Sequence, residues 1–190
     1  MMDQTCNLYQ IQYFLFLLPN KVRMTKNGIL CQTEIGHVYL DPKKTDFDGI
    51  NFVSHAHSDH LPSKNGGTIL SSIETNQISE IRGFTMENHI ESLDGFSLID
   101  SGHVLGSKGL LFDDIFYTGD ICTRDRGFLK AAKIPKCKTL ITECTFGLPE
   151  FSFPKMDEIE NQVNQLIGDL YAKGIPVILM GYQLGKAQTL

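Results

Sequence analysis

Apolar and polar positions alternate along most of the chain in short bursts, and a helical period takes over only near its end. The stretch "ILCQTEIGHVYLDP" holds two strand-length runs around Glu34-Ile35-Gly36, closed by Asp41-Pro42, and predicts a hairpin. "GINFVS" predicts a buried strand, and "GGTILSS" another. "IETNQISEIRG" carries Ile73, Ile78 and Ile81 with Gly83 as a stop, which predicts a helix. "GFSLIDSGH", "KGLLFDDIFYTGD" and "KTLITECTF" predict further strands, with Asp113-Asp114 as a hairpin turn. After Pro154, Ile159, Val163, Leu166, Ile167 and Leu170 share one helical face, acidic Asp157 and Glu158 open the segment, and Gly174 ends it. "IPVILM" then predicts a fully buried strand, and "GYQLGKAQTL" the first turn of another helix.

The apolar run "YQIQYFLFLLP" spans about half the roughly twenty residues a membrane helix needs. With Asp3 before it and "NKVRM" after it, it lacks the basic lead and small-residue cleavage site of a signal peptide. It is read as neither, and residues 1–23 are set apart as an N-terminal extension ahead of Met24. The 190 residues suit one domain with a real core. Five cysteines without a CxxC pair predict reduced thiols and a cytoplasmic protein. A net charge of −5 gives no global attraction to polyanions, so any nucleic-acid contact needs a local basic patch.

Chemistry concentrates in "HAHSDH". His55 and His57 are two apart in extended chain, so their rings project to the same side, and Asp59 and His60 follow as the chain turns. Four good ligands in six residues at the mouth of a buried strand predict a metal site, with distant partners to complete it. "DSGHVLGS" offers His103 between Gly102 and Gly106, and "FYTGD" offers Asp120, each at a strand end. His37 and His89 are read as ordinary surface or packed histidines.

In order and spacing, "HAHSDH", "SGHVLGS" and "YTGD" resemble the metal motifs of the metallo-β-lactamase superfamily. "LITECTFGLPEFSFP" and "PVILMGYQLGKAQTL" resemble its β-CASP-type nuclease branch, in particular the mRNA 3′-end-processing-factor-like and DNA-ligase-associated exonucleases. The resemblance implies an α/β (α+β) fold, an αββα sandwich whose second half is incomplete here. It implies a metallo-β-lactamase-like domain over residues 24–174 and a cut-short start of a β-CASP-like insert over 175–190. Carried over by position, His55, His57 and His103 hold a first zinc, Asp59 and His60 a second, and Asp120 bridges them. Manganese or iron also suits such a mixed nitrogen and carboxylate set. Asp59, His60 and Glu143 are the catalytic candidates, in a phosphodiester hydrolysis by a hydroxide activated between two metals. The family's final metal-site histidine falls beyond Leu190, so the second site is expected to be incomplete in this chain.

The implied partner is RNA or single-stranded DNA, with no membrane, in RNA processing or DNA repair. The resemblance also implies association with a DNA ligase or helicase, or with a second copy. Between residues 124 and 138 lie Arg124, Arg126, Lys130, Lys133, Lys136 and Lys138 against one acid, Asp125. The first three are the candidate nucleic-acid contacts, and a merely solvated face is the competing reading. Two other functions stay open: a small-molecule hydrolase of the glyoxalase or lactonase type, which shares the first motif, and a nucleic-acid-binding fragment that does not cleave.

Overall fold

The structure, a computed structural model, describes residues 21–64 and 66–188. The apolar run before Lys21 and Cys6 lie outside the described residues. Strands β1 (Val22–Thr25), β2 (Gly28–Thr33) and β3 (Gly36–Leu40) form an antiparallel meander. The same sheet continues in parallel through β4 (Ile50–Phe52), β5 (Thr68–Leu70) and β6 (His89–Ile90), in that spatial order. In the second sheet β7 (Ser97–Asp100), β8 (Lys108–Phe112) and β9 (Ile115–Tyr117) run antiparallel, and β10 (Thr139–Ile141) joins β9 in parallel. The first strand takes in Val22 and Arg23, two residues ahead of the Met24 boundary read from the sequence. The turn between β8 and β9 is Asp113-Asp114, with φ of 45° and 60°, the left-handed pair that a tight hairpin requires.

One core cluster draws Val38, Leu40, Phe52 and Leu70 from the first sheet and Leu110, Phe112, Ile115 and Tyr117 from the second, so the two sheets face each other across it. On β5 the adjacent Ile69 and Leu70 are both fully buried, on opposite faces by the two-residue period. Ile69 joins Val53 and Met86 in a second cluster on the far side. A sheet buried on both faces belongs to a layered α/β fold, here two sheets packed face to face with further cover on the far side of the first.

Helix α1 (Ile73–Ile81) starts at Ser72, whose hydroxyl accepts from the Thr75 amide at 3.1 Å. Its buried face is not the apolar one: Thr75 and Ser79 are buried, while Ile81 is 86% exposed. The reason is polar docking. The Gly106 carbonyl accepts from Ser72 Oγ at 2.6 Å and from Thr75 Oγ1 at 3.0 Å, tying the helix start to the loop 101–107.

Helix α2 (Met156–Ala172) forms where the helical period predicts it, but none of its residues is fully buried. The "IPVILM" run departs further from expectation. It joins no ladder among the described residues, and Ile178 and Met180 are exposed. An apolar run becomes a buried strand only where a neighbouring edge pairs with it and layers cover both faces, and the described residues supply neither cover. The "LGKAQ" stretch contributes one 3₁₀ turn, Lys186–Gln188. No helix among the described residues is long and apolar enough to cross a membrane.

Candidate metal centre

Strand β4 ends at Phe52, and the chain runs on buried through Val53 and Ser54 to His55, which is fully buried. The Ser54 hydroxyl donates to Asp41 Oδ2 at 2.6 Å, so its oxygen is left to accept from His55 Nδ1 at 2.9 Å. That places the His55 proton on Nδ1 and aims the Nε2 lone pair forward. His57 is turned the other way. Its Nε2 donates to the Leu184 carbonyl at 3.1 Å, and its Nδ1 lies 2.8 Å from His55 Nε2 and 3.3 Å from His103 Nε2. Each imidazole is thus gripped at one nitrogen and presents the other, the arrangement a metal-ligating histidine needs.

His103 comes from the loop 101–107. Ser107 Oγ accepts from the His103 and Val104 amides at 3.1 and 3.0 Å, and an Arg126 guanidinium nitrogen donates to the His103 carbonyl. Gly102 has φ +69°, and a Cβ there would meet the carbonyls of Lys130 and Cys122 at 2.6 and 2.7 Å. Only glycine lets the loop pack that closely. Asp120 follows β9 through Thr118 and Gly119, and a Cβ at Gly119 would meet Ser54 Cβ at 2.6 Å. The second sheet therefore brings its carboxylate directly against the histidine strand. Asp120 Oδ2 stands 3.3 Å from His103 Nε2 and 3.8 Å from His55 Nε2.

His55, His57, His103 and Asp120 offer four ligand atoms within 4.8 Å of one another. Bonds of about 2.0–2.1 Å in a tetrahedron give ligand separations of about 3.3 Å, so the observed spacings of 2.8–3.8 Å fit one divalent ion. Electrostatics agree. Burial, with the neighbouring imidazoles, pushes His55 far below its ordinary value, and burial, His57 and Arg126 bring His103 down to about 4. Both are neutral near pH 7, as ligands must be. Burial also raises the Asp120 carboxyl, with His60 opposing and Glu143 adding to the rise.

His60 and Asp59 stand on the other side of Asp120. His60 Nε2 is 3.4 Å from Asp120 Oδ1 and 3.8 Å from Asp59 Oδ2, but neither residue joins the four-ligand cluster, and the Asp59 side chain is 79% exposed. Burial pulls His60 down, yet its hydrogen bond to Asp41 and the charges of Asp41, Asp120 and Asp59 outweigh that and hold it at about 9.

Asp41 is the residue that the sequence reading missed, having taken it only as the close of a hairpin. At the end of β3, with φ 43°, it accepts from the Ser54 amide at 2.7 Å through Oδ1. Its Oδ2 accepts from Ser54 Oγ, His60 Nδ1 at 2.7 Å and Tyr117 Oη at 2.8 Å. The available signal was its place: a carboxylate at the end of a strand that lies parallel to the one delivering the histidines. Glu143 lies close by without joining the cluster. Its Oε1 accepts from the Ile121 amide at 3.0 Å, fixing the chain just past Asp120.

The basic run is less open than its composition suggests. Arg126 turns inward to His103, Lys130 pairs with Asp125 at 2.9 Å and Lys138 with Asp114 at 2.7 Å, while Arg124 reaches the Pro154 carbonyl at 3.5 Å. His37 and His89 lie apart from the cluster, His89 bonded to the Ser71 carbonyl. The four described cysteines are free thiols, and burial pushes that of Cys31 up to about 12. In front of the candidate ligands a cavity of about 560 Å³ opens, lined in part by His57, His103 and Asp120.

No family model matches the chain. It is 30% identical over 154 residues to a probable DNA ligase of Opitutus terrae, covering 74% of this chain and 15% of that protein. It is 28% identical over 183 residues to cleavage and polyadenylation specificity factor 73 of Drosophila melanogaster, covering 82% and 26%. An endoribonuclease of Candida albicans is 34% identical over 101 residues, covering 50% and 11%. The chain therefore spans between 11% and 26% of the length of these relatives. Among solved structures, a metallo beta lactamase from Hirschia baltica aligns with 56% of this chain and 66% of its own at a TM-score of 0.35 and 14% identity.

Proposed function

We propose, from the premise that this chain belongs to the metallo-β-lactamase-fold nucleases of the β-CASP-like branch, that it is a metal-dependent phosphodiesterase acting on RNA or DNA. The observation that carries the reading is the convergence of three imidazoles, two of them gripped at the far ring nitrogen, and one carboxylate at the spacing of a divalent ion. The relatives direct that centre toward nucleic acid, since their names are those of a DNA ligase, a cleavage and polyadenylation factor and an endoribonuclease.

His55 Nε2, His57 Nδ1, His103 Nε2 and Asp120 Oδ2 would hold the ion, zinc being the best match to this donor set. When bound, it supplies Lewis acidity toward a phosphodiester oxygen and lowers the pKa of a water. Asp59, His60 and Asp120 would hold a second ion, His60 giving up its Nε2 proton on binding while Asp41 orients the ring from behind. Asp59, at the cavity wall, takes the proton of the attacking water. Glu143 keeps the Asp120 carboxylate in place through Ile121. Exposed Arg124 and Lys130 steer the phosphate backbone toward the cavity, whereas Arg126 serves the His103 loop.

The test is metal analysis paired with cleavage of labelled RNA and single-stranded DNA. Bound divalent metal and cleavage that His57→Ala removes are expected. Hydrolysis of a lactone or thioester with both nucleic acids left intact would overturn the reading.

A further inference from the structure

We infer that Tyr182, Lys186 and Arg82 form a subsite for the nucleotide that flanks the scissile phosphodiester. The inference rests on the phosphodiesterase reading of the metal centre and adds to it where the rest of the strand binds. Its observations come from the wall of the cavity that the metal ligands leave unused. The cavity, about 560 Å³, is larger than an ion and its waters require and falls within the range of sites that hold a small organic ligand. Tyr182, Lys186 and Arg82 line it alongside His57, His103 and Asp120.

Charge and shape both suit a nucleotide. A strand carries one phosphate per nucleotide, so when one phosphate sits at the metal ligands the next needs a cation nearby. Lys186 and Arg82 are the lysine and arginine that line this cavity. Lys186 Nζ lies 4.6 Å from the centre of the Tyr182 ring, and Tyr182 as a residue is 74% exposed. With the ammonium against one face and the residue largely exposed, the ring would stack a base on its other face, and the cation beside it suits the phosphate.

The subsite is also held in register with the metal centre. The Leu184 carbonyl in the same turn accepts from His57 Nε2, 127 residues earlier in the chain. Gln188 braces the turn from within: its Oε1 accepts from the Gly185 amide at 2.7 Å, and its Nε2 donates to the Gln183 carbonyl at 2.9 Å. Gly185, at φ +92°, packs so that a Cβ would meet Val104 Cγ1 at 2.8 Å, against the loop of His103. A turn tied to two ligand-bearing segments holds Tyr182 and Lys186 at a set distance from the reacting phosphate, and positioning of this kind favours a correctly seated substrate.

The experiment measures binding of labelled single-stranded oligouridine and oligothymidine to the zinc-loaded full chain by fluorescence anisotropy across a salt series. Steady-state cleavage is followed in parallel. Tyr182→Ala and Lys186→Gln should each raise Kd and KM about tenfold with kcat held. Tyr182→Phe and Lys186→Arg should restore both values. Lys186→Gln should also flatten the slope of log K against log salt by about 0.7, one phosphate contact on a single strand. Unchanged metal content and circular dichroism identify the variants that keep the fold, and the restoring pair excludes a purely structural effect. A wild-type chain that binds neither oligonucleotide, or Ala and Gln variants that bind as wild type does, would overturn the subsite. Cleavage judges the other reading separately: a chain that binds through Tyr182 and Lys186 yet hydrolyses no nucleic acid keeps the subsite and refutes the phosphodiesterase.

Discussion

The two sides of the Asp120 carboxylate are built to different standards. Toward Oδ2, every histidine is gripped from behind: His55 by Ser54, His57 by the Leu184 carbonyl, and His103 through a backbone held by Ser107 and Arg126. Toward Oδ1, His60 is held by Asp41, but Asp59 stands mostly in solvent. The difference teaches that ligand identity alone does not make a site. What separates the two sides is whether every candidate ligand is held in place by the donors and acceptors around it.

The largest effect expected is from His57→Ala, which removes a ligand and leaves the Leu184 carbonyl without its donor. Metal content should fall sharply and cleavage drop to background, while Asp59→Ala should keep the first ion. Equal metal loss in both variants, measured by elemental analysis, would erase the contrast. Next comes Asp41→Ala, which strips the acceptor from Ser54, His60 and Tyr117 at once. We expect a stability loss of about 3–5 kcal/mol in urea unfolding and metal affinity weakened about 10–100-fold. Asp41→Asn, which preserves shape, should lose less.

The two sides also carry opposite pH signatures in the metal-free chain. On one side His103 titrates at about 4 when folded, below its ordinary 6.5, so the folded state resists its protonation. Stability from this group is present above 6.5 and is lost as pH falls through 4. On the other side His60 titrates at about 9, above its ordinary 6.5, so its contribution is present below 6.5 and lost as pH rises through 9. Each limb amounts to about 3 kcal/mol, two and a half pH units at about 1.4 kcal/mol each. Stability of the metal-free chain should therefore peak near neutral pH, and His60→Gln should remove the alkaline limb while leaving the acid limb. Loss of both limbs together would mean that the two sides are not separate. The smallest effect expected is on the stability of the Asp59→Ala chain, within about 0.5 kcal/mol of wild type, because that side chain is exposed.

Much of this comparison can be read in the chain before folding, and the readable part is local. The Asp113-Asp114 turn, the strand that delivers "HAHSDH" and the α1 helix stop at Gly83 follow from backbone preferences acting over a few residues. The same holds for His55 and His57, whose rings share a side because extended chain repeats every two residues. His103, flanked by Gly102 and Gly106, and Asp120, just after Gly119, are legible as candidate ligands at strand ends. The misreadings share another cause. The helix of α1 is where the sequence predicts it, but its apolar Ile73 and Ile81 are exposed and it docks by hydroxyls onto the Gly106 carbonyl instead. "IPVILM" has the composition of a buried strand without, among the described residues, a ladder or a cover.

The sequence by itself determined which side chains are candidate ligands and where along the chain strands and turns fall, because period, turn preference and ligand type are properties of neighbouring residues. Tertiary structure alone decided what stands behind each ligand. Asp41 meets Tyr117 across 76 positions and His57 meets Leu184 across 127. Separations of that size leave no trace in spacing, since they depend on how two sheets and a distant turn pack together. It was also packing that drew Arg126 out of a basic run and set it against the His103 backbone. A guanidinium settles where unpaired acceptors and available volume coincide, and both exist only once the chain has closed around the site.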